Sequence, residues 1–88
     1  MVRLPLTAAQ VDAGRRLGAH LRAVRGDRDP VAIARAAGIS PETLRKIESG
    51  RLPSPAFGTV VGLGIALGVP LQELAEVWQS DSGLSASA

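Results

Sequence analysis

Apolar residues recur along this chain at helical spacing. Leu17, Leu21 and Val24 follow one another at steps of four and three residues, and Leu74 and Trp78 repeat the step of four near the end. Such spacing places the side chains on one face of a helix. No segment of useful length shows the period-two alternation of a half-buried strand. The pattern predicts an all-α fold.

Start and stop residues divide the pattern into five helices. Thr7 and Gln10 have the spacing of a capping box. Asp29 and Ser40 are favourable N-caps, each followed by a proline at the first helical position. Glycines at 38, 50 and 68 are natural helix stops. The predicted helices cover residues 7–25, 30–38, 40–50, 54–68 and 70–79.

The helices are predicted to form one domain. Residues 1–79 contain all five, with a helix-turn-helix at about 30–50. Residues 80–88 contain little apolar surface to bury, so we expect them to form a loose tail.

Residues 52–72 contain no charged side chain, which is one feature of a membrane span. The apolar run itself extends only from Ala56 to Val69, between Pro55 and Pro70. A spanning helix needs about 20 apolar residues. We therefore interpret this segment as a buried core helix and expect no membrane partner.

Composition narrows the classes of function. The 88 residues include no cysteine, which excludes disulfides and thiolate metal sites. The chain opens on MVRLPLTAAQ, without a secretory signal pattern, so a cytoplasmic location is expected. All ten lysines and arginines lie in residues 3–51. This asymmetry suggests that the first half faces a polyanion, although arginines scattered over solvated faces are the alternative.

The third predicted helix is short and strongly two-sided. Leu44 and Ile47 share its inner face. The outer face is polar and consists of Glu42, Arg45, Lys46 and Ser49. Gly38 opens a three-residue turn between this helix and the one before it, as in a helix-turn-helix motif whose second helix enters the major groove. An ordinary helical hairpin in a bundle is the alternative.

The run IARAAGISPETLRKIESGRLPSP, followed by VVGLGIALGVPLQEL, resembles the Cro and phage-repressor (xenobiotic-response-element, XRE) family of helix-turn-helix domains. Leu17-Gly18, Leu21 and Arg25 match the family's first helix. The resemblance implies a compact five-helix bundle. It also implies sequence-specific binding of double-stranded DNA, usually by a homodimer that represses transcription, and hence a bacterial-type protein associated with the nucleoid.

The resemblance also implies a set of site residues. The candidate DNA contacts are Ser40, Pro41, Glu42, Thr43, Arg45, Lys46, Arg51, Arg25 and Pro30. Arg25 and Glu48 match a family ion pair that joins the first helix to the third. Pro30 replaces a glutamine that usually contacts a phosphate, although a helix N-terminus can still attract one. Pro41 and Glu42 stand where the family usually has polar amides.

The C-terminal half is predicted to meet protein. Gly58, Gly62 and Ile65 form a small-residue side of the fourth helix, and Trp78 is a further candidate for a dimer interface. A bundle that has lost DNA binding and acts as an interaction module, or an antitoxin-like partner, is the rival hypothesis; Pro30, Pro41 and Glu42 favour it.

Nothing in the motifs predicts an enzyme, a metal site or a cofactor. His20 is the single histidine, without a second histidine or a carboxylate at ligand spacing, and is expected to be a partly exposed helix residue.

Overall fold

The computed structural model describes residues 5–80, which fold into five helices with no strand among them. The helices are α1 (Ala8–Arg25), α2 (Pro30–Ala37), α3 (Pro41–Glu48), α4 (Phe57–Leu67) and α5 (Leu71–Gln79). The all-α prediction is confirmed. Of the tail predicted at residues 80–88, all but Ser80 lies outside the described residues.

The predicted N-caps are present. Thr7 and Gln10 form a complete capping box, with Thr7 N–H donating to Gln10 Oε1 at 2.8 Å and Gln10 N–H donating to Thr7 Oγ1 at 3.1 Å. The side chains of Asp29 and Ser40 accept backbone N–H groups in the first turns of α2 and α3. These local bonds satisfy donors that have no partner inside the helix, which explains why such short helices begin where they do.

The start of α4 differs from the prediction. The helix begins at Phe57 rather than near Ser54, and Ala56 occupies the N-cap position without a side-chain hydrogen bond. Pro55 restricts Ser54 to extended conformations, which separates the serine from the helix. A cap signal followed by proline therefore gave the correct start for α2 and α3 and an early start for α4.

The core is aliphatic, as the scarcity of aromatic residues predicts. Its largest fully buried side chains are Leu21, Leu44, Ile47, Leu63 and Leu74. They come from α1, α3, α4 and α5, and they join those helices in one cluster with Ile33 and Ala34 of α2. Trp78 is half-buried against this cluster. No helix within residues 5–80 is long and apolar enough to cross a membrane.

Two glycines of α1 let the helix lie directly on the α3 region. A Cβ atom at Gly18 would overlap the carbonyl oxygen of Ile47, and one at Gly14 would overlap the backbone of Pro53. Both glycines are buried. The distance between α1 and α3 is therefore set by backbone contact, which leaves no room for a side chain.

Candidate nucleic-acid interface

The joint between α2 and α3 is a tight, fully bonded turn. Gly38 adopts a left-handed conformation with φ 79°, which glycine reaches without a steric cost. The next N–H, from Ile39, donates to Ala34 O at 3.0 Å and closes the end of α2. Ser40 then caps α3. The two helices are thus connected by three residues, the geometry of a helix-turn-helix.

The third helix is anchored from one side and open on the other. Leu44 and Ile47 are each only 1% exposed. On the outer side, Glu42 and Arg45 are exposed and Lys46 is half-buried. A helix of this width fits a major groove about 12 Å wide. The arrangement anchors α3 in the core by its apolar side and leaves its polar face open to solvent.

Arg25 and Glu48 form a two-point ion pair between α1 and α3. Arg25 Nε–H donates to Glu48 Oε2 at 2.7 Å, and its NH2 group donates to Glu48 Oε1 at 3.0 Å. The side chains are 11% and 10% exposed. The hydrogen bond with Glu48 raises the pKa of the Arg25 guanidinium. Because a bidentate pair fixes both planes, it orients the end of α3 relative to α1.

Most of the Arg25 guanidinium is engaged within the protein. Besides the bonds to Glu48, its NH1 group donates to the carbonyl oxygens of Arg28 at 2.9 Å and Gly26 at 3.4 Å. Only part of one NH2 group remains for a phosphate. The main role of Arg25 in this structure is to position α3.

Other arginines cap helix C-termini. Arg16 donates to the carbonyl oxygens of Val77 at 3.3 Å and Trp78 at 2.8 Å, in the last turn of α5. Arg28 donates to Val24 O at 2.9 Å, near the end of α1. Such bonds satisfy terminal carbonyls and oppose the negative end of the helix dipole. The basic half of the sequence is therefore only partly available to a polyanion, which the charge count alone did not reveal.

Of the remaining described cations, Lys46 is half-buried and the others are exposed: Arg15, Arg22, Arg35, Arg45 and Arg51. Arg51 directly follows Gly50, whose φ of 81° reverses the chain after α3. Leu52 N–H donates to Lys46 O at 3.0 Å and folds this turn back against the last turn of α3. Arg51 is thus an exposed residue of the turn that directly follows α3.

The N-terminus of α2 does not fit the expected phosphate contact at Pro30. Proline has no N–H to donate, and the Asp29 carboxylate already accepts Val31 N–H at 3.0 Å. A carboxylate on the cap places negative charge where the phosphate would lie. We therefore remove Pro30 from the candidate contacts.

Ser40 and Thr43 are linked to each other. Ser40 Oγ accepts Thr43 N–H at 3.0 Å, and the two hydroxyl oxygens lie 2.9 Å apart. One hydroxyl donates to the other, which leaves one hydroxyl proton to point outward. Both residues stay candidate phosphate contacts, although as a pair they have a single free proton.

The candidate dimer residues divide into two groups. Gly58 is open to solvent, with no neighbouring atom within 4 Å of the point where a Cβ would lie, and Ile65 is 77% exposed. Gly62 instead packs inward, because a Cβ atom there would lie 2.6 Å from Ala37 O of α2. Its small size is explained by helix packing within the fold, and we remove it from the candidate interface.

Sequence reasoning missed Phe57 as part of this surface. The residue is 70% exposed and lies two turns before Ile65 on the same side of α4. Phe57 and Trp78 also line an apolar groove of about 350 Å³ between α4 and α5, together with Val60 and Leu71. The chain has only two aromatic residues, and one of them lies at the start of α4 instead of in the core. This scarcity is the feature of the sequence that could have identified Phe57 as a surface residue of interest.

His20 has a partner that sequence spacing could not reveal. Its Nε2 atom lies 2.6 Å from Glu73 Oε2, which joins α1 to α5. His20 is a partly exposed residue of α1, as predicted, with its side chain 29% exposed. The pairing with Glu73 was not predicted, because Glu73 is distant along the chain. Within residues 5–80, no group of three or more histidine, aspartate or glutamate side chains is arranged to hold a metal ion.

Comparison with known families agrees with this geometry. A family model described as a helix-turn-helix domain matches residues 16–77, which include all of α2, α3 and α4. No curated protein matches the chain.

Proposed function

The chain belongs to the helix-turn-helix domain family, and from this premise we propose that it is a DNA-binding transcriptional regulator whose α3 reads the major groove. The observation that carries the proposal is α3 itself. Leu44 and Ile47, each 1% exposed, anchor α3 in the core, while its outer face is polar and open to solvent. In this motif the second helix supplies the base contacts.

The outer face of α3 offers both donors and an acceptor. Lys46 and Arg45 donate to guanine O6 and N7, and Glu42 accepts from the cytosine amino group. Glu42 also repels phosphates, which penalises sequences that do not offer the cytosine donor. Arg51, at the exit of the turn, donates to the DNA backbone. Pro41 contributes shape and apolar contact only, because it has no N–H.

Salt dependence tests the electrostatic part of this proposal. Three or four cationic side chains of each subunit approach the duplex, about 6–8 in a dimer: Arg25, Arg45, Lys46 and Arg51. From these charges alone, counterion release should make log affinity fall with log salt at a slope of about −5 to −7. Fluorescence anisotropy with a bound duplex at several salt concentrations measures the slope. A slope near zero for specific binding would contradict the proposal.

We further propose a repressor that acts as a homodimer. One domain reads too few base pairs for selectivity, whereas a two-fold dimer reads a palindrome with half-sites about 34–36 Å apart. The interface that we favour is the apolar face, defined as Phe57, Val61, Ile65 and Leu71. Two of these project into solvent at 70% and 77% exposure, and the groove beside them is lined by Trp78. A projection and a groove in one patch suit a self-complementary interface.

The apolar face gives a direct test of the dimer. Ile65→Glu should make the protein monomeric, because two carboxylates would be buried at the interface. A monomer binds one half-site without the second subunit that a dimer places on the other half-site. Its affinity for a palindrome should therefore be about 10²–10⁴-fold weaker. Sedimentation velocity and anisotropy measure the two effects.

A matched control keeps this test interpretable. Gln72→Glu adds the same charge at an exposed position of α5 that is not part of the apolar face. It replaces the 3.3 Å hydrogen bond from Gln72 to Glu76 with a like-charge pair that costs only about 0.2–0.5 kcal/mol of helix stability, so both assembly and binding should stay unchanged. A dimer that persists in Ile65→Glu would exclude this face as the interface. Gly62→Glu is unsuitable because the side chain would collide with α2.

A second function is favoured by the same apolar face and by the acidic cap of α2. Both features suit a module whose main partner is another protein, as in an antitoxin that binds its toxin. Such a protein keeps the bundle and binds DNA weakly or not at all. The salt titration separates the two functions, because the interaction module shows no specific duplex binding to titrate.

A further inference from the structure

Arg15, in α1, lies against the turn that follows α3, a contact that the sequence pattern does not predict. A Cβ atom at Gly50 would lie 2.9 Å from Arg15 Cγ and 3.5 Å from its Cα. The arginine stem therefore rests directly on the glycine of the turn that follows α3. Arg51 is the next residue of that turn. Two arginines from distant parts of the chain are thus brought to one place at the C-terminal end of the recognition helix.

The Arg15 guanidinium is available, in contrast to those of Arg16, Arg25 and Arg28. Its ion-pair partner among the described residues is Asp12 at 3.9 Å, one turn earlier in α1. Both side chains are mostly exposed, at 69% and 59%. An exposed pair at that distance contributes little and is readily exchanged for another anion. The aliphatic part of the Arg15 side chain packs against Gly50, while its guanidinium group is exposed and can change partners.

The location favours a phosphate as that anion. A helix about 10–12 Å wide fills a major groove about 12 Å wide, so chain leaving the end of the helix faces the sugar-phosphate backbone. At the other side of the motif, Asp29 occupies the N-terminus of α2, where a phosphate contact would otherwise be expected. With that end of α2 unfavourable for a phosphate, cationic side chains at the turn after α3 are well placed to contact the DNA backbone.

We infer that Arg15 and Arg51, brought together across Gly50, form a phosphate clamp on the DNA backbone. The inference rests on the proposed DNA-binding function. Arg15 lies just before the residues that match the helix-turn-helix family model, which begin at residue 16. The clamp therefore includes one residue, Arg15, that lies outside the family match. It adds affinity for any duplex and carries no preference for sequence, because it touches only the backbone.

The test measures duplex binding of the full chain against salt, for the parent, Arg15→Ala and Arg15→Lys. Each lost phosphate contact lowers the magnitude of the salt slope by about 0.9, so Arg15→Ala should lower it by about 1.8 in a dimer. The preferred sequence should stay the same. Arg15→Lys should retain most of the slope, since it keeps the charge. Gln72→Glu changes the net charge by the same amount on α5 and should keep the parental slope.

The outcomes separate the clamp from the function on which it rests. A parental slope in Arg15→Ala, with the parent binding DNA, would overturn the clamp and leave the proposed function standing. A change in preferred sequence would also overturn it, because the residue would then contact bases. If the parent does not bind duplex DNA, the proposed function and the clamp both fail. Thermal unfolding of each variant confirms that folding is intact, and Arg15→Gln replaces Arg15→Ala if the alanine variant unfolds.

Discussion

Gly18→Ala is expected to lower the free energy of unfolding by about 3 kcal/mol or more, a large share of the stability of a small domain. The added methyl group would overlap the carbonyl oxygen of Ile47, which is backbone and cannot rotate away. Either α1 or α3 must move. A change of 1 kcal/mol shifts the melting temperature of a domain this size by about 4–8 °C, so the melting temperature should fall by more than about 12 °C.

Gly58→Ala is the matched control, and its effect should have the opposite sign. Gly58 lies within α4, is exposed, and has nothing within 4 Å of a Cβ position. Alanine there should raise the free energy of unfolding by about 0.5–1 kcal/mol through its better helix propensity. Thermal and urea unfolding followed by circular dichroism measure both variants. Equal, small effects at the two positions would contradict the close packing of α1 on the α3 region.

The fold was predictable from sequence where its causes are local. Asp29-Pro30 and Ser40-Pro41 specify helix starts within a few residues, and the structure places α2 and α3 accordingly. Leu44 and Ile47 were identified as inward-facing from spacing alone, because helical period fixes which side chains share a face. The same reasoning placed the start of α4 too early, at Ser54, because the presence of a serine does not show whether its hydroxyl caps a helix.

The site was less predictable, because its contacts join distant residues. Arg16 bonds to carbonyl groups of α5 that lie 61 and 62 residues further along the chain. No local pattern reveals such a pairing, so the charge count overstates how open the basic half of the sequence is to DNA. Gly62 shows the same limit. Its position on a small-residue stripe was visible in sequence, but its contact with Ala37 depends on how α2 crosses α4.

Lys46→Ala should weaken specific DNA binding by about 1–3 kcal/mol for each half-site, the range for loss of a good base contact. Lys46 is half-buried in the last turn of α3, the burial expected of a lysine whose apolar stem is covered while its ammonium group stays in water. Non-specific binding should fall much less. Arg35→Ala, which removes one exposed charge from α2, is the control and should cost less specificity. Equal losses on specific and random duplexes would assign Lys46 to the backbone instead of the bases.

Selection of bound sequences from random duplex DNA at moderate salt is the most direct test that α3 reads bases. We expect the parent to enrich a two-fold symmetric sequence with half-site centres about 34–36 Å apart. Glu42→Gln, selected in parallel, should lose the preference at one symmetric position by about 1–3 kcal/mol while binding random DNA more tightly. No enrichment by the parent, or an unchanged preference and unchanged non-specific affinity in Glu42→Gln, would contradict the account and point to a protein as the partner of this helix.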